Sequence, residues 1–281
     1  MLNLSRETPN LSPSFLDTVA RTALAAVGHP EDGVLFVAGS VVDGLANRNS
    51  DLDVYFLGGD AAPVVGSDTT VRKGEKSGTV AVLDGREISL SVLEPSGIEE
   101  LARSFRECLT ALSADSGIVQ LESQNDLKVL HRLRTGVPLR GGERLEQLRR
   151  STGTDRLAEY HVNVQAVAAV NRLTDVEGEL AEGNDASASW MFREAVAHVA
   201  RLVLALDGET NPAPKWLVRL LERGGPEPRL RSRLAQLLTE HEEDLPAALA
   251  EIRERLRTVV DHAPGAVVGP YLRRVVDRKL G

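Results

Sequence analysis

Cysteine, basic excess and long apolar runs are all scarce in this chain, and each scarcity removes a class of protein. The 281 residues contain one cysteine, Cys108, so neither an intrachain disulfide framework nor a thiolate metal site can form. Lys plus Arg number 33 against 41 Asp plus Glu, a formal charge of −8. A protein that lives on nucleic-acid phosphates wants a basic surface, so this balance argues against one and leans toward a cationic small substrate. No apolar run approaches the length of a membrane span. Met1 to Pro13 lacks a basic stretch followed by an apolar core, so no signal peptide is expected and the location is read as cytoplasmic. His161, His198, His241 and His262 have no partners at metal-ligand spacing and are read as structural. No internal repeat is evident.

What remains is 42% hydrophobic and 26% charged, enough to bury one large core or two smaller ones. The densest signal is Phe36-Val37-Ala38-Gly39-Ser40, a polar loop, then Ser50-Asp51-Leu52-Asp53-Val54-Tyr55-Phe56. Side chains alternate across a strand, so Asp51 and Asp53 share one face while Leu52 and Val54 share the other. Two neighbouring carboxylates repel unless a positive charge lies between them. A divalent cation supplies it, and hard oxygen donors favour Mg²⁺. On that account, neutralising one of them by Asp53→Asn should leave metal-free stability unchanged or raised. Gly39 lets backbone approach a phosphate closely, and Ser40 adds a hydroxyl to the amides of the same turn.

Gly39-Ser40, Gly44 and Ser50-Asp51-Leu52-Asp53 together resemble the signature of the DNA polymerase β-type nucleotidyltransferase superfamily. The fit is best to its small-molecule branch, which includes the aminoglycoside nucleotidyltransferases. The resemblance implies an α+β protein with an N-terminal mixed β-sheet domain and flanking helices, followed by a C-terminal all-helical bundle. It implies transfer of a nucleoside monophosphate, AMP from ATP or another NTP, to a hydroxyl of a small-molecule acceptor, with pyrophosphate released. Two Mg²⁺ ions would bridge the triphosphate and the attacking hydroxyl. Asp51 and Asp53 would hold the metals, and Gly39 and Ser40 the β- and γ-phosphates.

The chain in order supports that division. Ser12 or Ser14 caps a helix through Val27, with Phe15, Leu16, Val19, Ala23 and Leu24 on one stripe and Gly28 as its stop. Strand Val34–Ala38 follows, then a short helix over Val41 to Ala46 whose N-terminus would favour phosphate at Gly39-Ser40. Strand Leu52–Leu57 leads into a Gly/Pro/Ser-rich connection reaching Asp68. Thr79 to Leu83 and Glu87 to Leu93 flank Asp84-Gly85, a hairpin signal. Glu87, Ser89 and Ser91 fall on the polar face of the second hairpin strand. The resemblance puts a third acidic residue on such a neighbouring strand, and Glu87 matches it as metal ligand or general base; Glu94 is the fallback.

From Ser96 the pattern turns helical: a stripe from Ile98 to Leu112, then a helix over Val119 to Leu133. Gly136-Val137-Pro138 and Gly141-Gly142 mark the expected boundary between a nucleotidyltransferase domain over residues 1–140 and a helical substrate domain over 141–281. Helices are expected at Leu157 to Leu180, Ala186 to Leu206, Pro212 to Leu221, Leu230 to Leu238, Leu245 to Val260 and Val267 to Leu280.

Two cations are candidates for steadying the triphosphate. Arg48 precedes the Asp pair, and Lys215 opens a bundle helix, where its charge opposes the helix dipole. Trp216 and Trp190 are read as core rather than as base-stacking rings, and Glu159 and Glu194 as solvated. Arg193 and His198 also satisfy the Arg-x₄₋₆-His formula of HEPN ribonucleases, as do Arg257 and His262, so the formula discriminates little in an arginine-rich chain. Remaining alternatives are a nucleotidyltransferase with a protein or RNA acceptor in a toxin–antitoxin-like system, and an inactive nucleotide-binding module.

Overall fold

A computed structural model describes residues 11–28, 32–58, 70–72, 75–114, 117–121, 123–265 and 267–281. The chain is α+β, with its strands confined to the first half and helices alone among the described residues beyond Arg140. It divides into two units: Met1–Arg106 with Asn125–Asp155, and Glu107–Gln124 with Arg156–Gly281.

The first unit is built on a six-stranded mixed sheet of β1 (Val34–Ala38), β2 (Leu52–Leu57), β3 (Thr70–Arg72), β4 (Glu75–Leu83), β5 (Arg86–Leu93) and β6 (Val137–Arg140), in the order β3-β4-β5-β2-β1-β6. β2 runs antiparallel to β1 and parallel to β5, and in that parallel pair Leu52 lies opposite Ile88 and Asp53 opposite Ser89. Leu35, Val37, Leu52, Val54, Phe56, Ile88, Leu90 and Val92 make one apolar face. Helix α1 (Pro13–Ala26) closes it with Val19 and Ala23. Ser12 starts α1 by accepting the Phe15 N–H at 3.2 Å, and Gly28 follows its end with φ 79°. At the hairpin, Asp84 and Gly85 have φ 50° and 74°, the left-handed pair that a two-residue turn requires.

Four local expectations change. Residues 41–46 do not form a helix: the Gly44 N–H bonds Val41 O at 3.3 Å and the Leu45 N–H bonds Ser40 O at 2.7 Å. With Gly44 at φ 64°, that is the C-terminal closure of a helix after a single turn, so no sustained dipole faces Gly39-Ser40. Val137–Arg140, read as punctuation, is a strand paired with β1. It lies at the sheet edge, where Pro138 costs no ladder bond. Gly141, read as part of a boundary, has φ 71° and packs so closely that a Cβ there would lie 2.8 Å from Gly33 O. Helix α4 (Gly142–Thr152) follows it, so residues 141–152 belong with the sheet rather than with the bundle. The helix expected from Val119 starts later, as α3 (Gln124–Thr135). The Gly/Pro/Ser-rich connection lies outside the described residues except at its first positions.

The second face of the sheet carries Phe36 stacked on Tyr55, with ring centroids 5.2 Å apart. α3 lies over it, and Gly136 at its end packs so tightly that a Cβ would meet Phe36 Cδ2 at 2.5 Å. Arg149 of α4 holds the C-terminus of α3, its Nε donating to Leu133 O at 2.6 Å and its Nη2 to Gly136 O.

The second unit takes the last part of α2 (Pro95–Ser113), from Glu107 on, then α5 (Leu157–Ala181), α6 (Asp185–Leu206), α7 (Leu217–Glu222), α8 (Pro228–Thr239), α9 (Leu245–His262) and α10 (Pro270–Leu280). α5 and α6 form its spine; α7 and α8 pack on α6, α10 on α5, and α9 on both. No helix among the described residues is long and apolar enough to cross a membrane.

Candidate functional site

Alternation along β2 sends Leu52, Val54 and Phe56 into the α1 face, which turns Asp53 and Tyr55 to the opposite one. Asp51, one step before the strand, has the same parity. Continued one step before the Leu52–Ile88 pair, the parallel register sets Asp51 beside Glu87, and by the same alternation Asp51, Asp53, Glu87 and Ser89 fall on one side of the sheet. Asp51 and Asp53 are half-buried; Glu87, at the start of β5, is exposed.

Gly39 meets this row directly. It has φ 80°, and a Cβ on it would lie 2.0 Å from Asp53 Oδ2. The residue type is therefore demanded twice over, by backbone conformation and by the aspartate beside it. Ser40 is half-buried in the same turn, and Arg48 is exposed in the loop that follows. Asn47 orders that loop, its Oδ1 accepting the Asn49 N–H and its own N–H reaching Ser50 Oγ, each at 2.9 Å. Arg86, at the first position of β5, donates to Ser50 O and ties the loop to the strand just before Asp51.

The positive charge beside the aspartates comes from α3. Arg132 Nη2 donates to Asp53 Oδ1 at 3.1 Å, and its Cζ lies 4.8 Å from the centroid of the Tyr55 ring. Both charged side chains are largely buried, at 11% and 19% exposure. Burial draws the Arg132 pKa below its ordinary value, against the opposing pull of Asp53, Asp43 and Asp51. The preceding residue, His131, brings Nε2 within 3.1 Å of Asp43 Oδ2, with both side chains buried. Consecutive residues of α3 thus hold one aspartate from the Gly39 turn and one from β2.

Asp43, His131, Arg132 and Arg86 were not singled out from sequence. Nothing in an arginine-rich chain marks which arginine folds back over a strand 79 positions away. Among the described residues no group of three or more His, Cys, Asp or Glu side chains is arranged to hold a metal ion. The three carboxylates named from the motif share a face without converging on one point.

Lys215 belongs to the second unit, in a 3-10 turn at Pro214–Trp216. It is exposed, with Nζ 4.8 Å from the centroid of the Trp216 ring, and Arg219 Cζ lies 5.3 Å from the same ring. Trp216 is buried as expected, but Trp190 is 66% exposed on α6 and is not core. Arg193 is exposed, whereas His198 is held by its Nδ1 at 2.7 Å from Gln165 Oε1. Burial, with Arg201 and Arg172 nearby, pushes the His198 pKa down to about 4. An exposed arginine and a neutral, tethered histidine make a poor ribonuclease pair.

No protein-family model and no curated protein matches the chain. Among solved structures it is similar to a nucleotidyltransferase-like protein from Exiguobacterium sibiricum, at 18% identity and a TM-score of 0.48, over 94% of this chain and 80% of that chain. A likeness of that depth carries no argument about function.

Proposed function

We propose that the chain is a metal-dependent nucleotidyltransferase that moves AMP from ATP to a hydroxyl of a small-molecule acceptor and releases pyrophosphate. The observation that carries the reading is the seat of Asp53 against Gly39, with Asp51 and Glu87 on the same side of the sheet. A glycine whose absent side chain is filled by an aspartate oxygen joins the turn and the carboxylate row into one site.

The residues fit Mg²⁺ in donor chemistry. Asp51 and Asp53 offer hard oxygens, and Mg²⁺ commonly takes one or two carboxylates and completes its shell with phosphates and water. The lack of a three-ligand protein cage among the described residues is therefore compatible with it. When bound, the ion would neutralise triphosphate charge and polarise the α-phosphoryl group. The Gly39-Ser40 turn offers amides and a hydroxyl to the terminal phosphates. Glu87, exposed at the head of β5, would take the proton of the acceptor hydroxyl as that oxygen bonds the α-phosphorus and pyrophosphate leaves. Net charge of −8 favours a cationic acceptor. In this reading Arg48, exposed in the loop before Asp51, is a secondary phosphate contact at most.

A second reading, a nucleotide-binding module without transfer, is favoured by one observation: Asp53 is paired with Arg132, on the carboxylate that a metal would use. The two readings part in one experiment. Calorimetry should show ATP binding in Mg²⁺ well above that in EDTA, and hydroxyl acceptors, aminoglycosides among them, should elicit pyrophosphate release. Binding without release against a broad acceptor panel would favour the module. Equal ATP binding with and without Mg²⁺ would also favour the module, and no ATP binding would remove both.

A further inference from the structure

Arg132 is the residue that the nucleotidyl-transfer reading leaves unexplained, and the inference about it rests on that reading for its phosphate half. The guanidinium lies on Asp53, over the ring of Tyr55, in the field of Asp43 and Asp51. Asp53 Oδ1 holds the guanidinium at 3.1 Å, so a divalent cation arriving on either oxygen of that carboxylate meets a positive charge at close range. The repulsion favours departure of the arginine. Its neighbour His131 anchors α3 to Asp43 independently, so the arginine side chain can turn away while the helix stays in place.

We propose that Arg132 is a positioning residue that acts as the resident counter-cation of the site: it holds Asp53 until a divalent ion arrives, then releases the carboxylate and turns its charge to the nucleotide phosphates. The physical logic is exchange between partners of one class. A planar guanidinium pairs with carboxylate and with phosphate by the same fork of donors. Metal alone must displace the arginine while offering it no partner beyond the carboxylates already in its field, so metal alone binds weakly. Metal with nucleotide supplies both the displacing charge and the new partner, so each ligand strengthens the other.

The test is a pair of titrations on Arg132→Gln and Arg132→Lys. Mn²⁺ alone, followed by electron paramagnetic resonance, should bind Arg132→Gln about tenfold more tightly than the unaltered protein. ATP in saturating Mg²⁺, followed by calorimetry, should bind the same variant about tenfold more weakly. Arg132→Lys, which keeps the charge and loses the fork, should fall between on both. Opposite directions are the signature, since a merely structural role would weaken both. A folded Arg132→Gln with unchanged or weaker Mn²⁺ binding overturns the proposal, and if that variant does not fold, the same result in Arg132→Lys does. Wild-type protein that binds Mn²⁺ but never ATP would instead sink the nucleotidyl reading, leaving the Mn²⁺ comparison to judge the counter-cation by itself.

Discussion

Arg132 of the sheet unit and Arg231 of the helical unit are both buried arginines set against an aspartate, at 11% and 5% exposure. They differ in everything else around them. Arg231 of α8 donates Nε to Pro226 O at 3.1 Å, Nη1 to Leu220 O at 3.3 Å and Gly224 O at 2.9 Å, and Nη2 to Asp207. Gly225 makes room for it: a Cβ there would lie 2.7 Å from the guanidinium carbon. Its fork is filled by three backbone carbonyls and Asp207. Arg132 has one aspartate, the face of a tyrosine and two further carboxylates in its field. A saturated buried charge is a staple, whereas one surrounded by surplus opposite charge is a group with somewhere to move.

The strongest way to break that comparison is to remove both charges. Arg231→Met should cost about 3–5 kcal/mol, because Asp207 and three carbonyls lose their donor together. Arg132→Met should cost about 1–2 kcal/mol, since Asp53 keeps access to solvent and to cations. Denaturant unfolding of both decides it, and equal losses would erase the distinction.

The helical unit holds a second staple in His198, whose pKa burial pushes down to about 4. Above the unfolded value near 6.5 both states are neutral and the group adds nothing to the pH dependence. As pH falls toward 4 the unfolded chain binds a proton that the native state refuses, so stability is lost across that window. The full loss is about 3 kcal/mol, and His198→Asn should flatten that share of the profile. A variant whose stability falls as steeply as wild type between pH 6.5 and 4 would show that His198 is not excluded from water as described.

Glu87 sharpens the comparison from the active side. Glu87→Gln should leave unfolding within a few tenths of a kcal/mol of wild type and preserve ATP binding, while nucleotidyl transfer falls about 100-fold. Transfer at the wild-type rate would move the base elsewhere, though not to Glu94, which follows Leu93 at the far end of the β2–β5 register from Asp53.

The smallest effect reverses an expectation. Charge repulsion between Asp51 and Asp53 suggested that Asp53→Asn would leave metal-free stability unchanged or raised. With Arg132 on Asp53, the substitution removes the arginine's closest counter-charge, and a loss of about 1 kcal/mol is expected in EDTA by thermal melt. A rise would mean that repulsion outweighs the pair. The same variant should lose the Mg²⁺-dependent part of ATP binding.

What could be read from sequence here was whatever depends on near neighbours along the chain. Period-2 alternation put Asp51, Asp53 and Glu87 on the polar faces of their strands. Asp84-Gly85 set the hairpin register through the backbone conformations that it permits, and Ser12 and Gly28 bounded α1. Helical periodicity located the long bundle helices to within a few residues. One misreading was local: Gly44, in the left-handed conformation, stopped an apparent helix after one turn. Others came where a distant partner redefined a local signal, as when Pro138 became edge strand because β1 was there to pair with it. Gly141 was a close contact with Gly33 rather than a domain boundary. The decisive charge of the site was of the same kind. Sequence alone established that two carboxylates share a face and need a positive partner. Only the tertiary structure determined that α3 crosses that face and supplies Arg132, because which of many arginines lies over Asp53 depends on how helix and sheet pack, and packing joins residues that the chain keeps far apart.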